Sequence, residues 1–407
     1  MSEKESKITE GRQIMNKKWV CLWIGIVCIG TYIANYYLRN ILSVAAPDLI
    51  LSNEFTEASI GLLSSTYMLF YAAGQLVNGF LGDMLSPKWM IFTGMALGGC
   101  SVIVFPLLEN DALRIVCFAV LGFGLSMVRG PLMKIISEST EPRQARLICV
   151  FFSVASFTGP LIASLFVLML PVRFAFIVSG LVAILVVVIA TVVFAFMQKK
   201  QLITFRPIKS RSISSIFGAF KIENFGYYLV VACLVEISGA AISFWIPTYL
   251  STYLNFNSEV SNLIYSAISI CRSCMPFISL MIFNATGERA LPLMRIGFAS
   301  SAFFFLLMQA FTNPIINVLL MILALMSMSL TSAMLWSIYI PGLGKTGRAS
   351  SVNGVLDCAG YIAAAAANLL FAAVSAMKNW NIVLVLWASI GIIGVVATFF
   401  AKKEKQQ

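Results

Sequence analysis

The chain contains no histidine. The side chain best suited to moving protons near neutral pH is therefore absent, and any proton relay has to use carboxylates or water. Charge is scarce as well: only 11% of the 407 residues are Asp, Glu, Lys or Arg. No soluble domain of this length has that balance. The nine cysteines show no paired metal spacing. Cys271 and Cys274 stand alone as a close pair, while Cys21, Cys28 and Cys117 sit in apolar runs and read as packing. No catalytic triad, metal cluster or phosphate-binding glycine loop is present, so an enzyme, a cofactor and a metal site are not expected.

What is present is apolar chain. Hydrophobic residues make up 59% of the sequence, and runs such as 174–196 and 382–401 carry no charge at all. About twenty such residues cross the ~30 Å hydrocarbon core of a bilayer as a helix. The runs predict twelve spans, near 19–46, 56–82, 88–107, 112–137, 147–169, 172–197, 223–251, 257–283, 290–311, 313–340, 349–376 and 379–401. The fold class expected is an all-α membrane protein of two six-helix bundles. The first span is too long for a signal-peptide core, and no small-residue cleavage site comes after it.

The basic residues set the expected orientation. Twenty of the 28 Lys and Arg fall on one side of the predicted spans, and three (Arg114, Arg173 and Lys378) fall on the other. The positive-inside rule then puts both termini in the cytoplasm and the chain in the inner (plasma) membrane. The net charge of +11 reflects topology rather than a nucleic-acid footprint.

Residues 198–221 interrupt the hydrophobic pattern with six basic residues and no acid. The predicted organisation is a mobile cytoplasmic tail (1–18), an N-terminal bundle (19–197), a basic cytoplasmic linker (198–221), a C-terminal bundle (222–402) and a short tail (403–407). The halves repeat each other: the first span of each ends on a proline, at Pro47 and Pro247. Asp83 comes 36 residues after Pro47, and Asn284 comes 37 after Pro247. Repeated halves around a central linker are the plan of many secondary transporters, which bind substrate near the midplane.

The most informative residue is Arg39, in Asn35-Tyr36-Tyr37-Leu38-Arg39-Asn40. A cation at membrane depth costs at least ~2.5–3.5 kcal/mol on insertion scales and is ordinarily kept for a ligand. The competing reading is that Arg39, eight residues before Pro47, snorkels to the outer headgroups. Helical spacing puts Tyr36 near the face of Arg39 and turns Tyr37 elsewhere, so packing is as good a role for Tyr37 as binding. Asn35 is a weaker candidate. Further charges inside spans include Arg129, Glu236, Arg272 and Asp357. Arg129 suits an electropositive vestibule, whereas nearby Lys134 reads as a snorkelling side chain. Arg272 either meets substrate or pairs with Glu236, because an unpaired buried charge is costly. Asp357 either couples a proton or lies solvated near the cytoplasmic boundary.

Two motifs carry a family resemblance. Gly79-Phe80-Leu81-Gly82-Asp83-Met84-Leu85-Ser86-Pro87-Lys88 resembles the cytoplasmic loop motif of the major facilitator superfamily in Gly79, Asp83 and Lys88, and departs from it at Met84 and Ser86. A second copy keeps Gly287 and Arg289 and has Asn284 in place of the acid. The resemblance implies a gating role for these six residues. Asp83 is expected to cap the next helix and pair across the loop, favouring one of two packings of the bundle.

The Tyr36–Pro47 stretch and Trp245-Ile246-Pro247-Thr248-Tyr249-Leu250 resemble the first and seventh helices of organophosphate:phosphate antiporters and of the related anion:cation symporters. Both families carry small organic anions, and Arg39 matches their anion-binding arginine. The second arginine of the phosphate antiporters falls on Gly239 here, and the acid that precedes the symporters' first-helix arginine falls on Leu38. The resemblance implies a transporter, expected to act as a monomer, which exchanges a sugar or glycerol phosphate for phosphate by alternating access. Alternatives are a proton- or cation-coupled sugar-acid symporter, a multidrug exporter suggested by Thr158-Gly159-Pro160, and a transporter-like sensor.

Overall fold

The computed structural model describes residues 3–140, 142–202, 224–287, 289–340, 349–377 and 379–400, and these are helical apart from short connections. In chain order the helices are α1 (Glu3–Leu51), α2 (Glu57–Met84), α3 (Pro87–Leu107), α4 (Asp111–Ser139), α5 (Pro142–Met169) and α6 (Val172–Lys199). The second half has α7 (Phe225–Thr252), α8 (Ser258–Ala285), α9 (Ala290–Ala310), α10 (Pro314–Tyr339), α11 (Ala349–Ala376) and α12 (Trp380–Phe400). Eleven of these are long and apolar enough to cross a membrane. The described apolar stretch of α5, Thr158–Met169, is shorter.

Helices run across two predicted boundaries. α1 is continuous from Glu3, so residues of the predicted 1–18 tail share one helix with the first span, whose apolar part begins at Trp19. Its Glu-, Lys-, Gln- and Arg-rich sequence is made of good helix formers, which extend an existing helix without a new nucleation cost. Within the 198–221 linker, α6 runs through Lys199; residues 203–221 and 401–407 lie outside the described residues.

The repeat is visible in how the helices begin and end. The second helix of each half is N-capped by a side-chain oxygen: Thr56 accepts from the Ser59 amide at 3.2 Å, and Asn257 accepts from the Val260 amide at 2.8 Å. The fourth helices are capped alike, by Asn110 on Ala112 and by Asn313 on Ile315, each at 2.9 Å. Such caps satisfy amides that the helix itself leaves unpaired. The first helix of each half ends near an asparagine in the left-handed region, Asn53 at φ 57° and Asn255 at φ 58°.

Helices α6 and α12 expose Leu181, Leu185, Ile189 and Val192, and Ile382, Val385, Ile392 and Val396. An apolar outer face of that size fits lipid rather than water. The inward faces carry small residues where helices approach. A side chain at Gly159 on α5 would collide with Tyr36 on α1, so the Gly159-Pro160 pair is a packing device.

The halves meet through α2 against α11, α5 against α8, and α1 against α7. The first two pairs are exchanged by the internal repeat. Hydrogen bonds between halves, among the described residues, lie at the level of Arg39 or beyond it, toward the end away from the chain termini. Ser43 donates to the Phe244 carbonyl at 2.7 Å, Ser65 to the Ala365 carbonyl at 3.1 Å, and Ser266 to Ser164 at 3.2 Å. We call this the distal end.

Candidate functional site

Between the halves lies a chamber of about 410 Å³. The N-terminal half contributes Tyr32, Tyr36, Arg39, Tyr67, Arg129 and Phe152; the C-terminal half contributes Glu236, Ser243, Tyr265, Arg272, Asp357 and Tyr361. Five charges that hydropathy alone marks as anomalies therefore share one cavity. Three arginines against two carboxylates leave a net positive charge there.

Arg39 faces the chamber rather than the outer headgroups. Its Nη1 donates to the Tyr361 hydroxyl at 2.7 Å, across the interface between halves. Its guanidinium carbon lies 5.8, 5.7 and 5.1 Å from the ring centroids of Tyr36, Tyr71 and Tyr361. Ring faces attract the cation without neutralising it. The Tyr67 hydroxyl is buried in the same wall without a hydrogen-bond partner. Asn40 accepts from Tyr265 at 3.1 Å and donates to the Tyr36 carbonyl at 2.7 Å, tying α1 to α8.

Tyr37 and Asn35 do not line the chamber. Tyr37 is buried on the opposite face of α1 and donates to the Ser179 carbonyl on α6 at 3.0 Å. Asn35 donates to the Leu125 carbonyl on α4 at 3.1 Å. Both satisfy their polar atoms within the N-terminal half, as buried tyrosines and amides must. Lys134 is also absent from the chamber wall.

No ion pair joins Arg39, Arg129, Arg272, Glu236 and Asp357 among the described residues. A Glu236–Arg272 ion pair, one of the two roles open to Arg272, is absent among the described residues. Arg272 donates instead to the Ser243 hydroxyl, and to Ser329 at 3.4 Å. Asp357 is 4% exposed and opens on the chamber, so it is not a solvated boundary residue.

The loop motif is only partly described. The Asp83 side chain lies outside the described residues; by backbone, Gly79 is within α2, Asp83 lies in its last turn, and Ser86 holds the N-cap position of α3. Lys88 donates to Gln198 at the end of α6 at 2.7 Å, linking two helix ends of the N-terminal half. In the second copy Asn284 and Arg289 are exposed, and Gly287 takes φ +74°, a conformation open mainly to glycine.

Sequence reasoning misses Tyr361, Tyr67, Tyr71, Tyr265 and the serine partners of Arg272. Tyr361 was within reach, since it lies one helical turn after Asp357 and shares its face.

Two packed helical halves thus enclose a charged chamber within an apolar outer surface. The chain belongs to the Major Facilitator Superfamily, whose family model matches residues 28–367. It is 28% identical over 92 residues to a "Probable hexose phosphate transport protein" of Chlamydia muridarum, covering 23% of this chain and 20% of that one. It is 23% identical over 258 residues to a phosphoglycerate transporter protein of Salmonella typhimurium, covering 56% of this chain and 55% of that one. The chain thus spans between a fifth and about half of the length of these curated relatives. The fold matches a bacterial homolog of the human lysosomal transporter Spinster, solved inward-facing and unoccupied, with a TM-score of 0.78. That match covers 94% of this chain and 97% of the other at 13% identity, a likeness of fold alone.

Proposed function

We propose that the chain is a secondary transporter that carries a small organic anion across the inner membrane by alternating access, exchanging a sugar or glycerol phosphate for phosphate. The observation that carries this reading is Arg39. Its guanidinium faces the chamber and, among the described residues, has no carboxylate partner and is held by a tyrosine hydroxyl and three ring faces. A planar fork of donors that stays charged at any physiological pH suits phosphate or carboxylate oxygens. The partial likeness to hexose phosphate and phosphoglycerate transporters supports the phosphate ester.

In this reading the chain has twelve spans, both termini in the cytoplasm, and acts as a monomer. The distal contacts then close the outer side, and the chamber opens inward. An anion that binds the closed form better than the open one drives the halves together. The loop residues Gly79, Asp83, Lys88, Asn284, Gly287 and Arg289 bias the two packings at the cytoplasmic face. Arg129 lies on the inner approach and concentrates anions there.

Counterflow in proteoliposomes tests the reading. Phosphate trapped inside is expected to accelerate uptake of glycerol phosphate, with no response to an imposed pH gradient. The carboxylates Glu236 and Asp357, which make no ion pair among the described residues, favour a second reading, proton-coupled symport of a sugar acid. That reading predicts uptake driven by the pH gradient and abolished in Asp357→Asn or Glu236→Gln, with carboxylates preferred over phosphates.

A further inference from the structure

Arg272 sits within α8, on the wall opposite Arg39. The two serines that hold it have committed their own protons elsewhere: Ser243 donates to the Ser238 carbonyl at 3.0 Å, and Ser329 to the Leu325 carbonyl at 2.9 Å. Each hydroxyl therefore meets the guanidinium as an acceptor. The serines fix the orientation of the fork and leave its charge in place. The remaining N–H donors of Arg272 have no partner among the described residues. Glu236 faces the same chamber and makes no ion pair with it.

A second observation concerns the backbone. Both helices that supply these serines leave α geometry beside them. A π turn over Ile237–Ile242 in α7 ends immediately before Ser243. Another, over Met334–Tyr339 in α10, comes after Ser329 and brings Trp336 and Ser337 to the chamber wall. Turns of this kind are rare inside helices and gather at functional positions.

We infer that Arg272, held by Ser243 and Ser329 between these two turns, is a second oxyanion subsite, and that the substrate is a dianion shared between Arg272 and Arg39. The inference rests on the organic-anion reading above. The two guanidinium groups belong to opposite halves, so a dianion engages both walls while a monoanion satisfies one.

The test is binding to the purified full-length chain, with glycerol phosphate as the dianionic probe and glycerate as the monoanionic one. Wild type is expected to bind glycerol phosphate at least about tenfold more tightly than glycerate. Arg272→Gln is expected to lose about 10–100-fold for glycerol phosphate and under about threefold for glycerate. Arg272→Lys keeps the charge without the fork, and Ser243→Ala with Ser329→Ala keeps the guanidinium without its supports. Each is expected to reduce the preference by about tenfold, and they decide the matter if Arg272→Gln does not fold. A preference unchanged in these variants overturns the subsite and leaves the organic-anion reading standing. Glycerate bound as tightly as glycerol phosphate by wild type overturns the dianion. Failure of wild type to bind either probe overturns the organic-anion reading, and the inference with it.

Discussion

Arg39→Gln is expected to cut counterflow of glycerol phosphate by at least about 100-fold, the equivalent of about 3 kcal/mol of lost charge-assisted hydrogen bonding. Glutamine is about two atoms shorter and gives up the bond to the Tyr361 hydroxyl, but the Ser43, Ser65 and Ser266 contacts between the halves remain, so their packing survives. What disappears is the cation. An isolated charge in a low-dielectric wall is costly, and its removal is expected to leave thermal stability unchanged or raised. Loss of transport with gain of stability is the signature of a group kept for its ligand rather than for the fold. Arg39→Lys discriminates further: it restores the charge without the planar fork, and intermediate transport is expected. Full transport by Arg39→Gln, measured at the same protein density in the vesicles, would contradict the binding role.

The spans and the charged chamber were largely legible because each rests on a local physical rule. Apolar length marks a span, and a charge inside one has to face something polar. Arg39, Arg129, Glu236, Arg272 and Asp357 each broke the hydrophobic pattern, and all five line one cavity. Helical spacing correctly set Tyr36 beside Arg39 and turned Tyr37 away. It could not say what Tyr37 meets on its own face, the Ser179 carbonyl, because that acceptor belongs to a distant helix.

Of the two roles open to Arg272, pairing with Glu236 is not seen among the described residues. Within α7 the π turn over Ile237–Ile242 lies between Glu236 and Ser243. One extra residue in a turn rotates the rest of the helix by about 100° relative to regular geometry. No propensity in Ile-Ser-Gly-Ala-Ala-Ile announces that slip. That Tyr361 shares the face of Asp357 was open to helical spacing, but that it meets Arg39 was not, since 322 residues separate the two. The gating motif stays a matter of sequence, because the Asp83 side chain lies outside the described residues.

Asn368→Leu is expected to open the distal end. Asn368 is fully buried on α11, and its amide nitrogen donates to the Gly61 carbonyl at 2.9 Å and to the Ser64 and Ser65 hydroxyls at 2.7 and 2.9 Å. Its oxygen accepts from the Trp245 indole at 2.9 Å. One side chain thus joins α2 of one half to α7 and α11 of the other. Gly61 lets the walls close over it, since a Cβ there would strike Ala372.

Leucine preserves the volume and removes every polar partner. The Trp245 N–H is then buried unsatisfied, at about 1–3 kcal/mol, and the Gly61 carbonyl is left with its helix partner alone. Water can satisfy that N–H only if the halves part, so the cost falls on the closed state alone. A shift of about 3 kcal/mol moves the equilibrium by about 150-fold. Spin labels on exposed Leu51 and Asn255, in a background without cysteine, measure the separation of the distal loops. Wild type is expected to show the short distance, and Asn368→Leu a dominant longer one, with Trp245 emission shifted to the red as its indole meets water. Unchanged distances would mean that the distal seal is set by apolar packing and that Asn368 only decorates it. If the longer distance appears, exchange should fall as well, because a carrier biased to one side turns over only as often as it can close there.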